Sequence, residues 1–236
     1  MTLLRNLAFY AAFYLGTIPI TLVALALLPF SQRRFRSAVE AWSRYHRWCV
    51  EHLLDCRVRI EGVMPLEPVL YAIKHESFFE AIDTPHLFDH PGVFAKDELF
   101  RIWGWAHAGA AYGLIKVERN AGARALMGMI REAKRLTSAG RPLVIFPEGT
   151  RVPHGERRRL QAGFAGLYKM LGLPVVPVAV DSGPPYHRGL KRRGTITYRF
   201  GEPIPAGLDR RDVELRVLDA INALNSPIAL RPTDEE

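Results

Sequence analysis

Hydrophobic residues form one long uncharged run near the amino terminus, followed by short apolar runs separated by segments of helical spacing. Residues 6–32 contain no charged side chain over 27 consecutive positions, and about 20 apolar residues are enough to cross a hydrocarbon core. The run therefore predicts a membrane segment. Because Gly16 and Pro19 lie within it, both a single span and a broken, re-entrant helix stay open.

The flanks of this run favour one topology. A secretory signal peptide is the alternative, but its apolar part is usually ~7 to 15 residues long and ends at a small-residue cleavage site, which does not precede Arg33. Arg33, Arg34 and Arg36 follow the run, whereas Arg5 precedes it. Since basic residues accumulate at the cytoplasmic end of membrane segments, we expect a protein of the inner (cytoplasmic) membrane whose downstream domain faces the cytoplasm.

After this run, predicted helices and strands alternate. Helices are predicted over 35–54 and near 77–89, 97–109, 122–138, 161–171 and 209–224. Apolar runs of strand length cover 69–73, 113–117, 143–146 and 175–180, and the alternating segment 195–200 predicts an edge strand. Continuous apolar strands are typical of burial on both faces. The pattern predicts an α/β fold, an open and mostly parallel sheet flanked by helices, with an N-terminal membrane-associated helical segment.

Length and composition fit one folded domain with an appendage. The 236 residues are 48% hydrophobic and 24% charged, which excludes intrinsic disorder and fibrous repeats. We predict a membrane anchor over 1–34, a catalytic domain over 35–230 and a frayed tail over 231–236. Two cysteines, Cys49 and Cys56, are too few for a disulfide scaffold or a four-cysteine zinc site.

The net charge indicates an anionic partner. Lys and Arg number 32 against 24 Asp and Glu, a formal net charge of +8, which favours nucleic acid, a membrane surface or a phosphorylated small molecule. Segment 151–199 holds ten Lys or Arg against Glu156 and Asp181. This segment therefore accounts for the whole surplus, and beside a membrane run it favours anionic lipid or a phosphorylated substrate.

The first candidate site follows the predicted strand 69–73. In open α/β sheets the chemistry lies where strands end, and here the chain reads KHESFFEAID. His75 leaves the strand, and Glu80, five residues on in the first turn of a helix, can turn back to orient its imidazole as a general base. The alternative is a capping box, in which Ser77 and Glu80 only secure the helix start.

Two further sequence features bear on the chemistry of the site. His75-Glu76 also begins like a zinc-protease helix, but the second ligand position holds Phe79, so we predict no metal. A serine lipid hydrolase is disfavoured because the sequence contains no Gly-x-Ser-x-Gly elbow.

The second candidate site is the turn FPEGTR that ends the predicted strand 143–146. Proline stops strand pairing and Gly149 allows close approach of a ligand to the backbone. Thr150 and Arg151 offer a hydroxyl and a fork-shaped cation suited to a phosphate. The alternative is a sharp turn that merely exposes an arginine.

HESFFE and FPEGTR, in this order, resemble the signature blocks of the glycerolipid acyltransferases of the 1-acyl-sn-glycerol-3-phosphate (lysophosphatidic acid) acyltransferase type. Segment 96–119 resembles a further block, with Lys96, Gly104 and Arg119 at the matching positions, and 173–180 resembles the late apolar block around Pro177. The resemblance covers roughly residues 70–180. It departs from the family pattern where Glu80 and Glu118 replace the usual aspartates, and in a shorter stretch at 102–104.

The resemblance implies transfer of a fatty acyl group from acyl-CoA or acyl carrier protein to the hydroxyl of lysophosphatidic acid, giving phosphatidic acid. His75 would be the general base and Glu80 its orienting carboxylate. The substrate-binding residues it implies are Glu148, Gly149, Thr150, Arg151, Arg119 and Lys96, with the two arginines near the acceptor phosphate. The acyl donor is a substrate, and no cofactor is implied.

Two alternatives to this function stay open. The acceptor can be another lyso-lipid, such as lyso-ornithine lipid, because the family shares its catalytic block across acceptors. From another class, the chain can be a membrane-tethered protein in which segment 151–199 binds phosphates, nucleic acid included, and His75 is structural. We expect membrane lipids as partners and no nucleic acid.

Overall fold

A seven-stranded sheet with helices on both faces forms the computed structural model of the chain, which describes residues 2–101, 105–117, 122–186 and 188–225. The helices are α1 (Thr2–Leu27), α2 (Gln32–Leu53), α3 (Phe79–Leu87), α4 (Trp105–Tyr112), α5 (Gly122–Ser138), α6 (Gly163–Leu171) and α7 (Arg210–Ile221), with a 3-10 turn over Asp97–Arg101. The strands are β1 (Cys56–Glu61), β2 (Leu70–Ile73), β3 (Gly92–Lys96), β4 (Leu114–Val117), β5 (Leu143–Ile145), β6 (Val175–Val180) and β7 (Gly194–Phe200).

The strand order is β1-β7-β6-β2-β5-β3-β4, and every pairing is parallel except β6 with β7. The predicted α/β fold with a mostly parallel sheet is thereby confirmed. All residues of β2 and β6 are buried, as their uninterrupted apolar sequences indicate. Because β2 to β6 run the same way, their carboxyl ends meet at one edge of the sheet.

The two faces of the sheet have separate hydrophobic cores. Tyr71 and Ile73 of β2 pack with residues of α1, α2 and α3, whereas Leu70 and Ala72 pack with residues of α5, α6 and α7. This follows from the period of two along a strand, which sends alternate side chains to opposite faces. The result is a three-layer domain whose central strands are covered on both sides.

Several predicted elements differ from the structure. The segment 195–200 is not an edge strand, because β7 lies between β1 and β6. The sequence pattern did not predict β1, because charged residues alternate with apolar ones in CRVRIE and most of the strand is at least partly exposed. It also did not predict β3, because its apolar run is only three residues long. The predicted helix 97–109 is instead a 3-10 turn followed by α4, and residues 102–104 are outside the described ranges.

Helix α1 is continuous through Pro19 and packs along α2. The Trp42 indole donates a hydrogen bond to Thr17 (3.0 Å), and the Tyr45 hydroxyl donates one to the Ala12 carbonyl (2.7 Å). Gly16 lies at this crossing, where a Cβ would overlap the Tyr45 ring as it is placed. No break separates two re-entrant helices within α1.

One face of α1 belongs to the core of the domain. Phe9 and Phe13 are buried there, and the Asn6 amide exchanges two 2.8 Å hydrogen bonds with the backbone of Lys191. The opposite face exposes large apolar side chains to the surroundings: Leu3, Leu4, Leu7, Tyr14, Leu15, Ile18, Leu22, Val23 and Leu25. By length and composition α1 is able to cross a membrane.

The predicted division of the chain is not visible as a gap in packing. Helix α2 begins at Gln32 and crosses the predicted boundary after residue 34. The predicted frayed tail, 231–236, lies outside the described residues. The division into anchor, domain and tail therefore stays a prediction. Cys49 and Cys56 are both free and buried.

Candidate active site

The carboxyl ends of four neighbouring strands bring most of the predicted site residues to one edge of the sheet. His75 follows β2, the turn 146–151 follows β5, and Lys96 ends β3. Ser182 follows β6 at the same edge. This is the edge at which open α/β sheets bind their ligands.

His75 and Glu80 are in direct contact. The His75 Nδ1 lies 3.0 Å from Glu80 Oε1, as the five-residue spacing suggested. The imidazole packs on the Phe146 ring, with the ring centroids 4.4 Å apart. Its side chain is 16% exposed, and Nε2 has no hydrogen-bond partner among the described residues. With Nδ1 held by a carboxylate, the open Nε2 is free to accept a proton from a substrate.

Glu80 is held by five donors. Besides His75, its carboxylate accepts the backbone N–H of Glu76 (2.5 Å) and of Ser77 (2.8 Å), and the hydroxyls of Ser77 (3.0 Å) and Ser182 (2.7 Å). Burial raises the pKa of Glu80, but the hydrogen bond and charge of His75 and the other donors outweigh burial, so the net shift is downward. Glu80 is therefore an anion able to orient and stabilise an imidazolium.

The capping interpretation is correct only in part. Glu80 does accept the Ser77 N–H, which is half of a capping box. However, the residue that caps α3 is Phe78, without a side-chain hydrogen bond, and the Ser77 hydroxyl accepts from the N–H of Phe79. The one carboxylate thus secures the loop before α3 and contacts His75 at the same time.

Glu148 forms a buried ion pair that the sequence did not predict. The Lys74 ammonium lies 2.7 Å from Glu148 Oε1, and both side chains are fully buried. Lys74 also donates to the Glu156 carbonyl and to Asn222 Oδ1, each at 3.0 Å, while Glu148 Oε2 accepts the His75 N–H at 3.3 Å. Burial raises the pKa of Glu148, and the Lys74 cation offsets part of that shift. In this position the Glu148 carboxylate links the turn after β5 to Lys74 and to the backbone of His75.

Gly149 and Arg151 lie in the turn after β5. Gly149 has a φ of 66°, a left-handed conformation that favours glycine, and its N–H donates to the Phe146 carbonyl at 2.9 Å. The half-buried Arg151 guanidinium stacks 3.9 Å above the centre of the Phe78 ring. Burial, followed by the charge of Arg188, lowers the pKa of Arg151. Positive charge from Arg188 therefore reaches Arg151, which suits an anionic ligand. Thr150 is half-buried next to Arg151 in the chain.

Lys96 and Arg119 are the other two predicted ligands. Lys96 is exposed at the end of β3, where it pairs in register with Val117 of β4. Arg119 lies outside the described residues, as do Glu118 and Gly104. Their roles stay predictions.

Ser182 was missed by the sequence analysis. It is fully buried, and its hydroxyl contacts both Glu80 (2.7 Å) and the Ser77 hydroxyl (2.8 Å). Its signal in the sequence is its position, two residues after the continuous apolar run 175–180. The rule that chemistry lies at strand ends would have found it.

A cluster of potential metal ligands lies elsewhere. Among the described residues, Glu40, Asp89 and His90 offer ligand atoms within 4.8 Å of one another. They lie where α2 meets the loop before β3, at the opposite edge of the sheet from His75. Both nitrogens of His90 already contact carboxylates, Glu40 at 3.1 Å and Asp89 at 2.5 Å. The ring therefore links α2 to the loop before β3.

Comparison with known proteins establishes the family. The family model described as Acyltransferase matches residues 56–181, more than half of the chain. The chain belongs to the acyltransferase family. The matched region begins with β1 and ends one residue after β6, so it contains His75, Glu80 and Arg151 and leaves α1 and α2 outside.

Individual relatives agree with this assignment. A 1-acyl-sn-glycerol-3-phosphate acyltransferase of Pseudomonas aeruginosa is 28% identical over 214 residues, 86% of this chain and 81% of the relative. A lyso-ornithine lipid O-acyltransferase of the same organism is 30% identical over 205 residues, 75% of this chain and 77% of the relative. The crystal structure of the LPA acyltransferase PlsC from Thermotoga maritima matches with a TM-score of 0.75 at 19% identity, covering 94% of this chain and 95% of PlsC.

The resemblance seen in the signature blocks is thus confirmed. The protein is an O-acyltransferase with the fold of PlsC. Family membership argues against the alternative in which the chain is a membrane-tethered phosphate-binding protein and not an enzyme.

Proposed function

We propose that the protein transfers a fatty acyl group from acyl-CoA or acyl carrier protein to the free hydroxyl of lysophosphatidic acid, giving phosphatidic acid for phospholipid biosynthesis. The observation that carries this proposal is the His75–Glu80 pair, whose open Nε2 lies at the same sheet edge as Arg151. The pair provides a base for a hydroxyl, and the arginine provides a cation for a phosphate.

In this mechanism the acceptor hydroxyl attacks the thioester carbonyl directly. A hydroxyl is a weak nucleophile at neutral pH, so Nε2 of His75 takes its proton as the oxygen–carbon bond forms. Glu80 stabilises the resulting imidazolium. When the carbon–sulfur bond breaks, the proton passes from His75 to the departing thiolate. The protein itself need not carry the acyl group.

The cations beside the site are proposed to select a phosphorylated acceptor. Arg151 is held over Phe78, so its guanidinium is oriented before the substrate arrives, and the charge of Arg188 adds to the positive potential there. Holding the acceptor phosphate fixes the distance between the hydroxyl and His75, and such positioning is worth several kcal/mol in favourable cases. Arg119 and Lys96 are proposed as further anionic contacts.

Lyso-ornithine lipid is the second candidate acceptor. It is favoured by the relative from Pseudomonas aeruginosa that carries this name and is 30% identical. Lysophosphatidic acid is preferred here because the turn after β5 presents the cation of Arg151, which matches a phosphate monoester better than an ornithine head group with its own positive charge.

Replacing Arg151 tests the choice of acceptor. We expect Arg151→Ala to raise the KM for lysophosphatidic acid by about tenfold or more, because a charge-assisted contact to phosphate is lost, with a smaller rise for Arg151→Lys. Wild-type kcat/KM should be higher for lysophosphatidic acid than for lyso-ornithine lipid. The matched control is Arg210→Ala, which removes an exposed arginine paired with Glu214 on α7. An unchanged KM in Arg151→Ala would contradict the phosphate role.

The site is proposed to work at the inner membrane, with the domain facing the cytoplasm. The support is the row of exposed apolar side chains on α1 and the arginines 33, 34 and 36 that follow it. Both substrates carry fatty chains and the product is a membrane lipid, so an enzyme seated on the bilayer would collect and return them there.

Charges on the exposed face of α1 are expected to release the protein from lipid. A carboxylate in the hydrocarbon region costs about 2.5–3.5 kcal/mol, so Leu15→Glu combined with Leu22→Glu should weaken binding to vesicles by about 100-fold or more. Sedimentation with lipid vesicles measures this. Leu215→Glu, a change at an exposed leucine of α7, is the control that should leave binding intact. Full vesicle binding by the double variant would show that α1 is not the anchor.

A further inference from the structure

A second histidine–carboxylate pair lies beside the catalytic one and has no part in the mechanism above. His154 Nδ1 is 3.0 Å from Glu76 Oε1, and Glu76 Oε2 accepts the Gly183 N–H at 2.8 Å. The Glu76 side chain is fully buried, whereas that of His154 is 23% exposed. Glu76 immediately follows His75 in the chain, yet its carboxylate points to other segments.

The pair joins three loops of the site. Glu76 belongs to the loop after β2, His154 follows the turn after β5, and Gly183 follows β6. The three approach so closely that a Cβ on Gly183 would lie 2.9 Å from Glu76 Oε2 and 3.2 Å from the His154 Cβ. The contact is therefore tightly packed.

Arg151 lies within the stretch of chain that this pair holds. The next residue, Val152, donates its N–H to the His75 carbonyl at 2.7 Å, and His154 is tied to Glu76 two residues later. The Arg151 guanidinium itself rests on Phe78, which belongs to the same loop as Glu76. The segment that follows the cation is thus fixed to the loop of the general base at two points, Val152 and His154.

Burying the Glu76 carboxylate is unfavourable in free energy unless the carboxylate accepts hydrogen bonds. Burial raises the pKa of Glu76 to about 7, an effect that the Gly183 N–H and His154 only partly counter and that the charge of Glu80 reinforces. A buried carboxyl without donors would be unfavourable, so loss of His154 would loosen the contact between the loops.

We propose that Glu76 and His154 are positioning residues that hold Arg151 in place for the phosphate of the acceptor. They set the affinity for a phosphorylated lyso-lipid and act through Arg151, while Glu80 alone serves the His75 imidazole. This inference rests on the proposed function, since it takes Arg151 to be the phosphate ligand.

Measuring KM and kcat separately for each variant tests the proposal. In purified full-length protein on vesicles, His154→Ala and Glu76→Ala should each raise the KM for lysophosphatidic acid by about tenfold, the effect of losing one charge-assisted bond, with kcat within about twofold. His154→Asn places an amide near the Nδ1 position and should recover part of the affinity. Monoacylglycerol, which lacks the phosphate, should be used equally well by all these proteins.

A double variant shows whether the pair acts through Arg151. Added to Arg151→Ala, His154→Ala should cause no further rise in KM, because effects on one shared contact are not additive. His52→Ala is the control, since among the described residues His52 contacts Trp48 of its own helix α2, by a hydrogen bond to the carbonyl and by ring stacking, and it should match the wild type. Thermal unfolding of each variant is recorded alongside.

Three results would overturn the inference: an unchanged KM in both single variants, a rise in KM that adds fully to that of Arg151→Ala, or an equal loss with monoacylglycerol. Failure of the proposed function is a different result, because it is the absence of phosphatidic acid with the wild-type protein itself. A wild type that makes phosphatidic acid while the variants keep their KM refutes only the positioning role.

Discussion

Replacing His75 with glutamine is expected to lower kcat for phosphatidic acid formation by about 10²- to 10⁴-fold, the usual contribution of a general base. Glutamine preserves polarity and approximate size but does not take a proton at Nε2. KM should change little, because no substrate-binding role is assigned to the imidazole. The rate is measured as thiol released from acyl-CoA and as phosphatidic acid formed.

The effect must be separated from damage to the loop, since Glu80 would lose one of its five donors. The other four, from Glu76, Ser77 and Ser182, remain in the variant, so we expect the fold and vesicle binding to persist. His52→Gln is the matched control on α2. Turnover in His75→Gln close to that of the wild type would remove the catalytic assignment.

Replacing Lys74 with methionine is expected to reduce the free energy of unfolding by about 3–5 kcal/mol, because one partner of a buried ion pair is left without its counter-charge. Glu148 would lose its 2.7 Å contact, and Asn222 and the Glu156 carbonyl would each lose a donor. Changing Glu148 to glutamine in the same protein should restore part of the stability, since no buried charge then stays unpaired.

The free energies of unfolding of the wild type, of Lys74→Met and of Lys74→Met combined with Glu148→Gln are measured by chemical denaturation in detergent micelles. Arg210→Met breaks the exposed pair with Glu214 and should alter stability by no more than about 0.5–1 kcal/mol. If Lys74→Met is as stable as the wild type but needs far more lysophosphatidic acid, Glu148 acts on the substrate, as the family resemblance implied, and the structural role is wrong.

Much of the fold is local in origin and was therefore predictable. Strands β2 and β6 are continuous apolar runs, and helix α5 coincides with its predicted range 122–138. Strand β1 and the interior place of β7 were not predictable in this way, because Arg57 and Arg59 interrupt the apolar pattern and because strand order depends on contacts between distant segments.

The same distinction holds within the site. His75 and Glu80 are five residues apart, so their contact could be inferred from a turn at a strand end. Lys74 and Glu148 are 74 residues apart, and a fully buried lysine contradicts the usual preference of that residue. Ser182 reaches Glu80 only because β6 lies beside β2 in the sheet. Such pairings are fixed by the strand order and not by local spacing.

The measurement that tests the central claim most directly is the product assay with wild-type protein on vesicles. Lysophosphatidic acid, lyso-ornithine lipid and monoacylglycerol are supplied together, with acyl-CoA or acyl carrier protein as donor, and all products are quantified by mass spectrometry. We predict phosphatidic acid as the main product, with one thiol released for each molecule formed. Preferential acylation of lyso-ornithine lipid or of monoacylglycerol, or thiol release without any acylated lipid, would contradict the account.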